Sequence, residues 1–202
     1  IEKNYSSHTI LNYRSYLEEL SEYIKDIPVE KIDYLLLRKF LSFIRSKHHR
    51  PRTLSRKMSS IRSFFKFLNR EGFLHHNPAA LLMTPKLDRI LPKFLSEQEM
   101  ARFIEAPNNK TILGKRNRAI LETLYSTGIR VSELVKLNIT SIDFIGSVLK
   151  VEGKGKKERL VPIGNQALMT IKEYLDHRQS TEFAVFLNKN GSRLSTRGVC
   201  NI

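Results

Sequence analysis

Thr127-Gly128-Ile129-Arg130-Val131-Ser132-Glu133-Leu134 is the stretch on which the reading of the fold turns. A glycine after an apolar-periodic run stops a helix, because it enters the left-handed conformation without steric penalty. Val131 onward then resumes helical spacing, so Arg130 falls at the head of a new helix. Twenty-four positions on from Arg130, Lys154 sits in Gly153-Lys154-Gly155-Lys156-Lys157-Glu158-Arg159-Leu160-Val161-Pro162, a glycine-flanked turn between two alternating segments. Those segments, Val148 to Glu152 and Arg159 to Ile163, predict a hairpin with Lys154 at its tip. Both cations stand where they can reach a phosphate.

Upstream of Gly128 a helix is expected from about Lys115 to Thr127, with Ile120, Leu121, Leu124 and Tyr125 inward. Ser96-Glu97-Gln98-Glu99 has the form of a capping box and opens a helix that ends near Pro107. Downstream of Arg130 its helix should reach Asn138. Beyond the hairpin the pattern predicts a helix from Gln166 to Arg178 and a short strand from Ala184 to Leu187. A last helix begins at an N-cap on Ser195 or Thr196.

The first third of the chain reads differently. Ile10, Tyr13, Leu17, Leu20 and Ile24 recur at helical steps behind a cap at Ser7. A second helix follows Asp33 and buries Leu36, Leu37, Phe40, Phe43 and Ile44, with Pro51 limiting it. A third, from Thr53 to Arg70, packs Leu54, Met58, Ile61, Phe65 and Leu68 and stops at Gly72. Asn77 to Leu82 suggests one more short helix. The opposite side of the third helix carries Arg52, Arg56, Ser59, Ser63, Lys66 and Arg70 in one stripe. Eleven basic residues and no acidic one lie between Asp33 and Glu71. Solvated helix faces mix both signs, so this stripe reads as a nucleic-acid footprint.

Composition agrees. Thirty-five Lys and Arg against twenty Asp and Glu give a formal net charge of +15, which calls for a polyanionic partner. No apolar run reaches the length of a membrane span and no signal peptide opens the chain, so the expectation is a soluble cytoplasmic protein with no membrane contact. A single cysteine, Cys200, excludes an intrachain disulfide and a cysteine cluster for zinc. The adjacent pairs His48-His49 and His75-His76 read as solvated surface, and no metal site is expected.

The order of parts divides the chain into a helical domain at 1–84, a proline-containing linker at 85–94 and a mixed domain at 95–202. This order resembles the tyrosine recombinases of the phage-integrase family, within them the two-domain Xer type. Besides the two motifs, Ser7-His8-Thr9, Ile61-Arg62-Ser63-Phe64-Phe65-Lys66-Phe67-Leu68, Asn77-Pro78 and Leu95-Ser96 match family landmarks. The resemblance implies an all-α, SAM-like core-binding bundle. Behind it comes a mixed α+β catalytic domain with a small antiparallel sheet, incomplete at its C-terminal end. The two domains of such enzymes close on the duplex from opposite sides.

In that family a scissile DNA phosphate is held by arginines, and a lysine protonates the departing 5′-oxygen. The matching positions are Arg130 and Lys154. Glu133, one turn beyond Arg130, either orients that guanidinium or serves only as its helix ion-pair partner. DNA contacts are expected from Arg52, Arg56, Lys57, Ser59, Arg62, Ser63 and Lys66, and from Lys156 and Lys157 on the hairpin. The chemistry conserves the phosphodiester in a 3′-phosphotyrosyl link, so neither ATP, a metal nor another cofactor is implied. The implied partners are double-stranded DNA, a homo- or hetero-tetramer on two DNA sites, and in the Xer setting a DNA translocase.

A His-x-x-Arg motif and the nucleophilic tyrosine of the family lie downstream of Arg193 and are not matched within 202 residues. None of the tyrosines replaces the nucleophile: Tyr125 and Tyr174 fall on helices where core packing explains them. The chain, which starts at Ile1, is therefore expected to be a fragment that does not cleave DNA alone. Chromosome dimer resolution is the expected role of the whole enzyme. The alternatives are a phage or mobile-element integrase, and a DNA-binding regulator without catalysis.

Overall fold

Ser6, not Ser7, opens the first helix: its side chain accepts the Thr9 amide, and α1 runs Ser7–Ile24. The capping preference alone does not choose between adjoining serines. The computed structural model describes residues 5–47, 50–83, 94–153 and 157–202. The chain divides into two units, Ile1–Pro92 and Lys93–Ile202, each with its own apolar core.

In the first unit α2 (Tyr34–Ser46) is capped by the Asp33 carboxylate on the Leu36 amide at 2.7 Å. Pro51 stands in the first turn of α3 (Pro51–Arg70), where its missing N–H costs nothing. It begins that helix rather than ending the previous one. Gly72, at φ +80°, closes α3 with the Phe73 amide on the Leu68 carbonyl at 2.9 Å. Leu54, Met58, Ile61 and Phe65 of α3 are buried in one core with Leu37, Phe40, Leu41 and Ile44 of α2. Cutting either buried phenylalanine, Phe40 or Phe65, to alanine should cost roughly 3–5 kcal/mol. Phe43, expected inside, is 39% exposed and packs on Tyr23, with the Lys47 ammonium over its ring. Asn77 to Leu82 forms turns instead of a helix, because the Asn77 side chain takes the Ala79 amide at 2.9 Å.

The second unit opens with α4 (Glu97–Glu105), on the capping box of Ser96 and Glu99. Thr111 caps α5 (Ile112–Thr127), three residues ahead of the expected start. The next helix, α6 (Val131–Leu134), is a single turn and does not reach Asn138. A 3-10 turn at Ile139–Ser141 leads into β1 (Ile142–Asp143), which sequence patterning had not revealed. β2 (Val148–Glu152) and β3 (Glu158–Pro162) complete an antiparallel sheet ordered β1-β2-β3, with Glu152 opposite Glu158 at the turn end of the hairpin and Val148 opposite Pro162 at its open end. Leu149 and Val151 enter the core, and Lys150 and Glu152 face away.

The long helix α7 (Asn165–His177) lies along α5, with Ala119, Ile120 and Thr123 of α5 and Ala167, Leu168 and Ile171 of α7 buried. Lys115 and Glu173 pair across them. Tyr174 is buried and stacks on Phe186, but Tyr125 is 59% exposed, so core packing does not account for it. Ala184 to Leu187 is buried yet forms isolated bridges, Asn138 with Ala184 and Leu187 with Arg193, in place of a strand. Ser195 caps α8 (Thr196–Cys200). The architecture is thus an all-α unit followed by a mixed unit with one small antiparallel sheet.

Candidate active site and nucleic-acid face

The end of α5 and the start of α6 fix Arg130. Gly128 ends α5 at φ +61°, its amide on the Leu124 carbonyl at 2.9 Å. Arg130 is the N-cap of α6, and its carbonyl accepts the Glu133 and Leu134 amides at 2.8 and 2.9 Å. Glu133 returns the contact, since its Oε2 accepts the Arg130 amide at 2.9 Å. Its Oε1 accepts Arg130 Nη1 at 3.0 Å. The Arg130 side chain is 74% exposed, and among the described residues nothing engages its Nε or Nη2. An exposed guanidinium tethered at one nitrogen can offer its remaining donors to an oxyanion.

Glu133 is only 4% exposed and has a second partner. Arg159, on β3, donates Nη1 to Oε1 at 2.8 Å and Nη2 to Oε2 at 2.9 Å, a two-point fork. These hydrogen bonds are the largest influence on the carboxylate, and with those from Arg130 they outweigh burial and hold its pKa at about 2. Glu133 in turn pushes the Arg159 pKa upward. One carboxylate between two guanidinium groups leaves a net positive charge.

The turn end of the hairpin joins this cluster. The Gly153 amide donates to the Lys157 carbonyl at 2.8 Å, and a Cβ on Gly153 would sit 3.3 Å from Arg159 Nη1 and 3.8 Å from Glu133 Oε1. Lys157 is exposed. Lys154 and Lys156, both expected to act at the hairpin tip, lie outside the described residues. Arg159 is the residue that sequence reasoning left without a role. Alternation places it opposite Leu160 on the strand, but nothing in the spacing points to a partner 26 positions away. Arg193 was missed likewise: it donates to the carbonyls of Val135 and Leu137, just beyond α6.

On α3 of the first unit, Arg52, Arg56, Ser59, Ser63 and Lys66 are all exposed, and Tyr13 of α1 donates to Ser63 at 3.3 Å. Arg62 is half-buried. Lys57 departs from its expected role. It is buried, with its ammonium on Glu19 of α1, because its position falls on the side of α3 that turns toward α1. Glu19 takes Lys47 as well, and these cations draw its pKa down against the effect of burial. Arg70, at the end of the stripe, pairs with Glu71. Among the described residues no three His, Cys, Asp or Glu side chains gather as a metal site, and no helix is long and apolar enough to cross a membrane.

Residues 93–202 match the Phage integrase family, and residues 1–72 match the Phage integrase, N-terminal SAM-like domain. The chain belongs to this family, the tyrosine recombinases, whose activity is site-specific DNA recombination. Within it the relatives are of the Xer type. Over its whole length the chain is 41% identical to the tyrosine recombinase XerC of Thermodesulfovibrio yellowstonii, covering 70% of that protein. It is 40% identical to the XerC of Pelobacter propionicus, again over its whole length, covering 68% of it. The fold is shared with a Tn1549 transposon integrase in complex with circular intermediate DNA, at a TM-score of 0.77 and 17% identity over 97% of this chain and 70% of that one. It is also shared with a lambda integrase tetramer bound to a Holliday junction, at 0.75 and 18% over 98% of this chain and 58% of that one.

Proposed function

We propose that Arg130 holds the scissile phosphate of a DNA duplex and that Lys154 protonates the departing 5′-oxygen. Glu133 fixes Arg130, and the full protein joins the 3′-phosphate to a tyrosine before rejoining strands. The observation that carries this reading is the Arg130 guanidinium, anchored through Nη1 and its own amide on buried Glu133, with Nε and Nη2 unengaged among the described residues. Two donors on a preorganised base suit the charge that builds on the non-bridging oxygens of a phosphorane transition state. A lysine ammonium carries the proton that an acid at that position must give.

The exposed stripe of Arg52, Arg56, Ser59, Ser63 and Lys66 is assigned to the DNA backbone and groove, with Lys156 and Lys157 adding contacts from the hairpin. The full enzyme is assigned to a tetramer on two DNA sites; the lambda integrase of similar fold is a tetramer bound to a Holliday junction. Its biological role is read as chromosome dimer resolution rather than element integration, because the relatives at about 40% identity are named XerC recombinases. A DNA translocase as an additional partner rests on the family resemblance.

A duplex with sulfur in place of the 5′-bridging oxygen tests the division of roles, because a thiolate departs without a proton. In the full-length protein, Lys154→Ala should lose covalent adduct formation on the ordinary duplex and regain it on the sulfur duplex. Arg130→Ala should stay inactive on both. Rescue of Arg130→Ala, or no rescue of Lys154→Ala, contradicts the assignment.

A further inference from the structure

Arg159 has no place in the chemistry above, yet it makes the strongest contact in the cluster. A carboxylate meeting a lone arginine prefers the two-point fork, which occupies two guanidinium nitrogens at once. On Glu133 that fork is already taken by Arg159, with one bond to each oxygen. Among the described residues Arg130 is left with a single side-chain contact, through Nη1. We propose that Arg159 is a positioning residue for DNA cleavage: by occupying the fork on Glu133 it keeps Arg130 from closing on that carboxylate and leaves Nε and Nη2 for the phosphate. This inference rests on the assignment of Arg130 made above.

Three observations separate this from an ordinary surface ion pair, which is worth ~0–1 kcal/mol and orders little. Glu133 is buried at 4% exposure, so its geometry is set by its partners and not by water. The single-turn helix that carries it is too short to hold its own shape and depends on outside contacts. Gly153 lies against Arg159 and Glu133, so the pair also seats the turn end of the hairpin next to α6. Among the described residues the other charged groups nearby are engaged among themselves: Lys136 with Glu152 at 3.0 Å, and Lys150 with Glu158 at 2.8 Å. None of them competes for Glu133.

The test uses the full-length protein on its recognition duplex, selected in vitro from random sequence, with single-turnover cleavage and duplex affinity measured together. Arg159→Ala should lower the cleavage rate about 10- to 100-fold while affinity stays within about twofold. Arg159→Lys, a cation that cannot fork, should fall between. In a Glu133→Gln background the same Arg159→Ala change should add less than about twofold, because the effect runs through that carboxylate. Arg159→Ala should also acquire an acid-side fall in rate, since Glu133 loses the contact that most favours its ionised form. Wild-type rates in Arg159→Ala, or equal losses with and without Glu133, overturn the proposal.

Nitrogen-15 NMR of the 202-residue chain separates this inference from the reading it rests on. The Arg130 guanidinium should become more restrained in Arg159→Ala as it closes on Glu133, and unchanged signals count against the proposal. If the wild-type protein forms no adduct at all, the assignment of Arg130 fails while the NMR result still decides how Arg159 acts on it.

Discussion

Arg193 donates Nη1 to the Val135 carbonyl at 2.8 Å and to the Leu137 carbonyl at 3.2 Å. These carbonyls follow the single turn of α6 and accept no helical amide; Leu137 also takes the Val185 amide at 3.0 Å, and the guanidinium serves Val135 and complements the partial negative charge there. With Arg159 at the other end, α6 is held by two arginines from later in the chain. Arg193→Ala should therefore raise amide exchange at Leu134, Val135 and Leu137 about tenfold or more, with α5 and α7 unchanged. Uniform exchange changes across the unit would contradict a local role.

Glu133 links stability to acid. Its folded pKa of about 2 lies below the ordinary 4.5, so its contribution is fully present above about pH 4.5 and is lost as pH falls from there toward 2. Glu133→Gln lacks the charge at every pH. The gap in Tm between wild type and this variant should thus be widest above about pH 5 and narrow toward pH 2. A gap that does not change with pH would mean the ion pairs contribute nothing.

The α3 stripe and Lys57 should separate cleanly. Replacing Arg52, Arg56 or Lys66 by alanine should weaken duplex binding and reduce the slope of log K against log salt by about 1 for each phosphate contact removed. Lys57→Ala should leave that slope unchanged and lower Tm, because it leaves half-buried Glu19 with one partner fewer. A slope change for Lys57→Ala would return it to the DNA face.

Two glycines should differ in cost. Gly128 is in the left-handed region with open space around it, so Gly128→Ala should cost only about 1–2 kcal/mol. At Gly114 a Cβ would stand 1.8 Å from the Asn108 carbonyl oxygen, an impossible approach without moving backbone. Gly114→Ala should be the more damaging by thermal melting, and equal costs would refute the close packing at that turn.

What the sequence made legible follows from locality. The capping box of Ser96 and Glu99, the stop at Gly128, the hairpin strands and the exposed α3 stripe each depend on neighbours within a few residues, and each appears in the structure. The length of α6 did not follow from its pattern, because Val135 and Leu137 continue helical spacing while their carbonyls are claimed by Arg193 and the Val185 amide. Likewise Lys57 and Arg56 look alike in sequence, and only the placement of α1 sends one to Glu19 and the other to solvent. The fork of Arg159 on Glu133 spans two elements, and no periodicity encodes it.

The central claim is that Arg130 holds the scissile phosphate, and the most direct measurement is single-turnover covalent adduct formation by full-length Arg130→Ala, with duplex affinity determined on the same preparation. The prediction is a rate lower by about 100- to 1000-fold or more with affinity within about threefold of wild type. Adduct formation at the wild-type rate would contradict it.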